Sequence, residues 1–230
     1  KPGNPATDGD QAKLSALYAG FMDDAASEAL GAKPRAPRLQ ASRDANDKTA
    51  FATLMGAQQG DFGRSFFGLS VSDDQRDPDH YTLYLSQSGL GLGDREMYLR
   101  ENFAPQRERY QAYIAQMLQL AGWPQAEARA KAILAMETRI AEAHWTRAES
   151  RDRDKTYNPL AFGEFAAKAP GFPWAAFFQA AGVEQASRVV VRQDSAIPKM
   201  AAIFAGSIGM KGRPMRLSGE TTGIGMRCGR

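Results

Sequence analysis

Apolar residues recur every three or four positions through two adjoining segments, and this periodicity constrains the fold more than any other feature of the sequence. Over 105–122 the repeating residues are Tyr110, Tyr113, Ile114, Met117, Leu118 and Ala121. After Pro124 they are Ala126, Ala130, Ile133, Leu134, Ile140, Ala141 and Trp145. This spacing places one apolar stripe along an α-helix. The segments therefore predict two consecutive helices, separated at Gly122, that bury their stripes in a common core.

The remaining patterns are also mostly helical. Helices are predicted at 10–30, after Asp47, after Asp94, at 160–168, from Pro173 and at 195–205. The period changes at 64–71 and 81–85, where aromatic and aliphatic residues flank a turn-rich stretch and predict a β-hairpin. Residues 188–192 predict one more short strand. The fold class is therefore mainly α, a multi-helix domain with one small β-hairpin.

Composition excludes several classes of protein. The chain has 230 residues, 43% of them hydrophobic, and no apolar run approaches the roughly 18 residues of a membrane-spanning helix. Its single cysteine, Cys228, excludes a disulfide framework. With only His80 and His144 available, a site with three histidine ligands is impossible.

The net charge of +3 comes from the end of the chain. Residues 206–230 contain five Lys or Arg against Glu220 alone, so the remaining residues sum to −1. This segment has seven glycines, no aromatic residue and no apolar period. We expect a flexible lead-in at 1–9, a domain at 10–205 and a disordered Gly/Arg-rich tail at 206–230. Nucleic-acid binding is not expected, because basic residues do not alternate with aromatic residues that could stack on bases.

Two loops resemble ligand-binding motifs in composition but not in spacing. The hairpin connection contains Asp73, Asp74, Asp77 and Asp79. Pro78 stands where a calcium loop needs glycine, and no Glu closes the loop, so a solvated turn is favoured. Residues 87–93 have three glycines at alternate positions, without the spacing of a dinucleotide fingerprint or the Lys of a P-loop. A sharp turn before a helix is favoured over a phosphate site.

Glu137 and His144 are the polar residues that interrupt the apolar face of the predicted helix after Pro124. Two metal ligands on one helix could have this pattern, although the usual spacing is i, i+4. A buried carboxylate that pairs with an Arg or a backbone donor would have it too. The sequence favours the second interpretation.

Four segments carry a resemblance to a known family. They are YAGFMDD at 18–24, QSGLGLGDREMYL at 87–99, METRIAEAHW at 136–145 and RDRDKTYNP at 151–159. In order and spacing they resemble the N-terminal domain of the neprilysin and endothelin-converting-enzyme family of zinc metallopeptidases, including bacterial members of endopeptidase O type. The resemblance covers about residues 10–205. It implies a helical cap that faces a catalytic lobe and restricts substrates to peptides.

The resemblance also shows what this chain lacks. Family members carry a His-Glu-x-x-His helix with two zinc ligands and a general base, and no such sequence occurs here. No catalytic, cofactor-binding or metal residue is therefore assigned. Zinc is implied only for the parent family, and we expect the chain alone to be inactive. Peptides would be partners only through the missing catalytic lobe.

Several expectations remain open at this level. The loss of helical period at Gly206 suggests a fragment of a peptidase with an unrelated tail, from a frame shift or, less favoured, a linker. The family is mostly extracytoplasmic, yet no leader precedes the first helix, so the compartment stays unknown. The face that would meet the catalytic lobe should be apolar and exposed. The alternative function is a non-catalytic helical module that binds a peptide or protein, and a serine hydrolase has no supporting Gly-x-Ser-x-Gly.

Overall fold

A computed structural model describes residues 9–61 and 65–207, and the lead-in at 1–8 and the predicted tail from 208 onward lie outside this range. The chain divides into two compact units, 1–40 and 41–230. This division falls inside the single domain predicted over 10–205.

The first unit contains two helices where the sequence predicted one. Helix α1 spans Gly9–Met22 and α2 spans Asp24–Leu30. Asp23 separates them because its backbone is not helical and its carboxylate accepts a hydrogen bond from Ala26 N at 2.9 Å. An N-terminal cap of this kind starts a new helix and does not continue the preceding one.

The apolar stripe of α1 is exposed. The exposed fractions lie between 64% and 71% for Leu14, Leu17, Tyr18 and Phe21. No residue of α1 is buried. The periodicity therefore identified the helix correctly, while its apolar side is not part of the core.

The remaining helices build most of the second unit. They are α3 (Ala36–Asp44), which crosses the boundary between the units, α4 (Lys48–Ala57), α5 (Glu96–Leu99), α6 (Ala104–Leu120), α7 (Ala126–Ala143), α8 (Phe162–Lys168), α9 (Trp174–Ala180) and α10 (Ala196–Ser207). Asp47 caps α4 as predicted, accepting from Ala50 N at 2.8 Å. Helices α6 and α7 pack against each other through the two predicted stripes. No helix in the described ranges is long and apolar enough to cross a membrane.

A four-stranded sheet accompanies these helices. Its strands are β1 (Phe67–Asp73), β2 (Tyr81–Gln87), β3 (Asn158–Ala161) and β4 (Arg188–Val191), in the spatial order β1-β2-β4-β3. The predicted hairpin is the antiparallel pair β1–β2, and the predicted valine strand is β4, which pairs parallel with β2. Strand β3 was not predicted, because Pro159 and its four-residue length hide the strand period. Its position at the edge of the sheet tolerates a proline.

Aromatic side chains fill the core between the sheet and the helices. The ring of Phe67 on β1 lies 4.6 Å from that of Trp174 and 4.9 Å from that of Phe172. Phe172 lies 4.7 Å from Phe204 on α10, so the cluster joins the sheet to two helices. Offset and edge-to-face aromatic pairs add stability beyond the area they bury.

Helix α4 approaches α9 so closely that position 56 requires glycine. A Cβ added at Gly56 would lie 2.2 Å from the carbonyl oxygen of Phe177. Backbone atoms cannot move aside as a flexible side chain can, so any larger residue would push the two helices apart.

We predict that Gly56→Ala destabilises the protein by about 1–3 kcal/mol, because it overpacks this contact. The matched control is Gly163→Ala on α8, where an added Cβ meets nothing within 4 Å. There alanine should be neutral or stabilising by about 0.5–1 kcal/mol, since it favours the helix. Urea unfolding measures both changes, and equal effects of the two substitutions would refute the packing argument.

Candidate functional site

Two of the four segments that carry the family resemblance, 87–99 and 136–145, contribute to one cavity of about 350 Å³. Its lining comes from 87–95, which follows β2, from 144–150, which follows α7, and from Gln193. We call this cavity the central pocket. No sequence pattern predicts this pocket, because its three parts are far apart along the chain.

Two glutamines fix the wall of the central pocket. The side chain of Gln87 donates to the carbonyl of Trp145 at 3.0 Å and accepts from the Trp145 backbone N–H at 2.8 Å. The backbone N–H of Gln87 donates to the side-chain oxygen of Gln193 at 3.0 Å. The end of β2 is thereby joined to the segment after α7 and to the segment before α10.

His144 lies in this pocket, outside the helix on which the sequence placed it. Helix α7 ends at Ala143, and His144 has an extended backbone. Its Nε2 lies 3.1 Å from the Ser88 carbonyl oxygen, so this nitrogen carries the hydrogen. Burial lowers the pKa of His144 to about 4, and the nearby Arg95 charge acts in the same direction. His144 is therefore neutral at pH 7.

Glu137 is fully buried on α7 and is held by tyrosine hydroxyls. Tyr98 donates to its Oε2 at 2.5 Å, and Tyr110 donates to its Oε1 at 3.2 Å. Burial raises the pKa of both tyrosines, and the Glu137 carboxylate raises it further, so both keep their protons. The carboxylate is buried and hydrogen-bonded, as the sequence favoured, but Tyr98 and Tyr110 donate to it where an Arg or a backbone donor was expected.

The predicted turn at 87–93 brings Gly91 against Tyr110. A Cβ at Gly91 would lie 1.8 Å from the Tyr110 hydroxyl oxygen, so a side chain here would displace Tyr110 from Glu137. The turn ends at Asp94, whose carboxylate accepts from Glu96 N at 2.9 Å at the start of α5. The glycine-rich stretch thus packs against Tyr110, which holds the buried Glu137 carboxylate.

Asp74 departs from the solvated turn that the sequence favoured. The other acidic residues of this connection are exposed, but Asp74 is buried. It accepts hydrogen bonds from Arg76 N at 2.9 Å and the Tyr157 hydroxyl at 2.7 Å, and it pairs with Arg188. These contacts hold the pKa of the Asp74 carboxyl below its usual value, with the Arg76 N–H contributing most. Asp74 therefore ties the hairpin connection to β4 and to the 151–159 segment.

The candidate metal ligands do not form a metal site. Across 9–61 and 65–207, no three His, Cys, Asp or Glu side chains lie close enough together to hold a metal ion. Glu137 is engaged by tyrosines, His144 by a carbonyl, and His80 lies on the surface beside Asp77. These residues do not fit a zinc centre, so no hydrolytic step is assigned to them.

The described residues form a mainly helical domain with a small mixed sheet and a polar pocket. The family model described as Peptidase family M13 matches residues 1–209. The chain therefore belongs to peptidase family M13 and corresponds to the N-terminal domain of its zinc metallopeptidases. The match includes the four segments that carried the resemblance.

Related proteins agree with this assignment. Endothelin-converting enzyme-like 1 of Rattus norvegicus is 28% identical over 182 residues, which cover 71% of this chain and 23% of that protein. The zinc metalloprotease Zmp1 of Mycobacterium tuberculosis, solved with an inhibitor, superposes with a TM-score of 0.80 at 30% identity, over 86% of this chain and 31% of that one. PepO of Lactobacillus rhamnosis shares the fold at 19% identity, with a TM-score of 0.67, over 86% of this chain and 32% of that one. The chain thus spans 23% to 32% of the length of these relatives.

We predict that the low pKa of His144 in the folded state makes the protein less stable in mild acid, because the unfolded chain then binds a proton at His144 that the folded chain does not. Its folded pKa is depressed, so its contribution to stability is complete above its unfolded pKa near 6.5 and is lost as the pH falls towards 4. Between pH 7.5 and pH 5 this loss is about 2 kcal/mol. His144→Gln should flatten the dependence in urea unfolding, whereas His80→Gln should retain it because His144 is still present. An unchanged slope in His144→Gln would contradict this assignment.

Loss of the Tyr98 hydroxyl should remove one donor from Oε2 of the buried Glu137 carboxylate and the acceptor of the Leu92 N–H, since both bond to it. We predict that Tyr98→Phe costs about 1–3 kcal/mol of stability, the usual penalty for an unsatisfied buried polar group. Tyr81→Phe, at a side chain that is 77% exposed, is the control and should change stability by less than about 0.5 kcal/mol. Thermal or urea unfolding compares them, and a stability loss no larger than that of the control would argue against the network.

Proposed function

We propose that this chain supplies the helical cap of a zinc metalloendopeptidase and does not hydrolyse peptides by itself. The observation that carries the proposal is the family match over 1–209 in a chain that spans only 23% to 31% of the length of its relatives. Hydrolysis by zinc requires three protein ligands and a base, and the described residues do not bring such a group together.

In the parent enzyme, hydrolysis is then the task of the catalytic lobe, and the cap does not take part in it directly. Zinc and the general base belong to the catalytic lobe, and peptides are the substrates that the two lobes enclose. The cap contributes a packed helical wall that limits the size of the substrate and excludes bulk water. From the same resemblance we propose that the parent enzyme acts outside the cytoplasm.

The exposed stripe of α1 supports a contact surface on the cap. Leu14, Leu17 and Tyr18 are each more than 60% exposed, although they form a regular apolar stripe. Apolar side chains clustered on a surface usually mark a site of interaction. The same observation favours the second candidate function, a non-catalytic module that binds a peptide or protein. Peptide affinity without turnover, in a chain that does not assemble with a catalytic lobe, would distinguish that function.

The first test measures zinc uptake and peptide hydrolysis by the purified chain. We expect substoichiometric zinc after dialysis and no cleavage of an internally quenched peptide above the buffer rate, because no ligand set is assembled. Zinc-dependent cleavage that a chelator abolishes would contradict the proposal.

The second test grafts residues 1–207 onto Zmp1 in place of the region that they match. A working cap should preserve cleavage of short peptides and exclude folded proteins, and Zmp1 without the matched region is the control. A folded chimera that cleaves folded proteins as fast as short peptides would refute the cap function. If the chimera does not fold, co-purification of the separately expressed chain with the remainder of Zmp1 tests the same interface, and failure to assemble would count against the proposal.

A further inference from the structure

The central pocket contains more hydrogen-bonding capacity than the chain itself uses. Arg147 donates through Nε to Asp94 at 2.5 Å, and within the described residues neither of its Nη groups has an acceptor. Its side chain is 73% exposed and lines the cavity, so both Nη groups are available to a bound molecule. A guanidinium with a free fork of N–H groups matches the geometry of a carboxylate.

A second guanidinium reaches the same cavity. Arg95 donates through Nε to the Ala141 carbonyl at 3.1 Å and through Nη1 to Glu96 at 3.1 Å. Its Nη2 has no acceptor in the described part of the chain, although the side chain is only 21% exposed. The Glu96 carboxylate bonds to Nη1 of Arg95 through Oε1 and to Arg100 through Oε2, and it makes no bond to Nη2. Nη2 therefore remains a charged donor at the pocket that a bound anion can accept from.

Acidic residues near the pocket do not supply this anion. Asp94 uses its carboxylate to hold Arg147 and the start of α5. Glu149 accepts from Thr146 N at 2.8 Å and from the Thr146 hydroxyl at 2.7 Å, and these bonds, with a smaller contribution from the Arg95 charge, lower the pKa of Glu149, but Glu149 makes no hydrogen bond to Arg95. The unused N–H groups of the two guanidiniums therefore remain for a ligand.

His144 adds an acceptor to these donors. Its Nε2 hydrogen bonds to the Ser88 carbonyl, which leaves Nδ1 with a lone pair and no donor among the described residues. His144 is buried and lines the same cavity. A ligand that satisfies the site thus combines a carboxylate for the guanidiniums with a nearby N–H group for the imidazole.

We propose that the central pocket binds the C-terminal residue of a peptide, whose carboxylate bonds to Arg147 and Arg95 and whose last amide N–H donates to His144 Nδ1. A cavity of about 350 Å³ is within the range of sites that hold small ligands. This binding needs no catalytic lobe, so it stands or falls separately from the cap function.

The test uses the whole chain and three small probes, followed by the Trp145 indole N–H signal in two-dimensional NMR spectra. Trp145 lines the pocket, and its indole donates to Ser195 at 2.7 Å, so the signal reports on occupancy. Trp145→Phe assigns it among the three tryptophans. The probes are N-acetyl-Gly-Gly, its C-terminal amide, and N-acetyl-Gly-sarcosine, which keeps the carboxylate but lacks the last amide N–H.

We expect N-acetyl-Gly-Gly to shift the signal with saturation, and the other two probes to bind about tenfold more weakly, since each lacks a hydrogen bond to a charged or buried partner. Arg147→Gln should weaken binding of N-acetyl-Gly-Gly by about tenfold as well. Arg100→Gln is the matched control, because Arg100 also pairs with a nearby carboxylate (that of Glu96), is 67% exposed and does not line the pocket. It should leave the affinity unchanged.

Three results would overturn the proposal. The absence of a saturable shift would show that the pocket does not bind the peptide. Equal binding of the acid and the amide would show that the carboxylate has no role in binding. Equal binding of the sarcosine probe would remove the role of His144. A fourth probe, N-acetyl-Asp-amide, separates the sources of the carboxylate: if it binds as tightly as N-acetyl-Gly-Gly, the site does not select a peptide C-terminus and that part of the proposal is wrong.

Discussion

The packing of Phe67 against the aromatic residues of the helical layer is the interaction on which the rest of the second unit depends. Phe67 lies at the start of β1, and its ring contacts Phe172, Trp174 and Phe177. This contact fixes the sheet against α9, and through Phe204 against α10. Because β1 pairs with β2 along its whole length, the same contact positions the end of β2, where Gln87 begins the central pocket.

The residues that identify the family have structural roles in this chain. In QSGLGLGDREMYL, Gln87 binds the backbone of Trp145, Gly91 leaves space for Tyr110, and Tyr98 holds Glu137. In RDRDKTYNP, Tyr157 holds Asp74. Buried polar groups of this kind are costly unless every partner is in place, so they demand one arrangement of the elements. The signature therefore describes how the domain is built, and it contains no hydrolytic machinery.

The described part of the chain has the fold of its family and brings together no metal-binding group of His, Cys, Asp or Glu. It presents an exposed apolar stripe on α1 and a polar pocket. Both surfaces offer groups that a partner or a ligand can contact.

The sequence by itself determined the local structure and the family. Periodicity located most helices, the hairpin and β4, since each depends on neighbours within a few residues of the chain. Tertiary structure alone decided that Asp74 is buried and which groups hold Glu137. Their partners lie far away, Arg188 being 114 residues from Asp74 and Tyr98 39 residues from Glu137. The break at Asp23 and the edge strand β3 were missed for another reason: a capping side chain and a strand with Pro159 leave no periodic signal. The central pocket also depends on tertiary structure, because only folding brings its two arginines and His144 together.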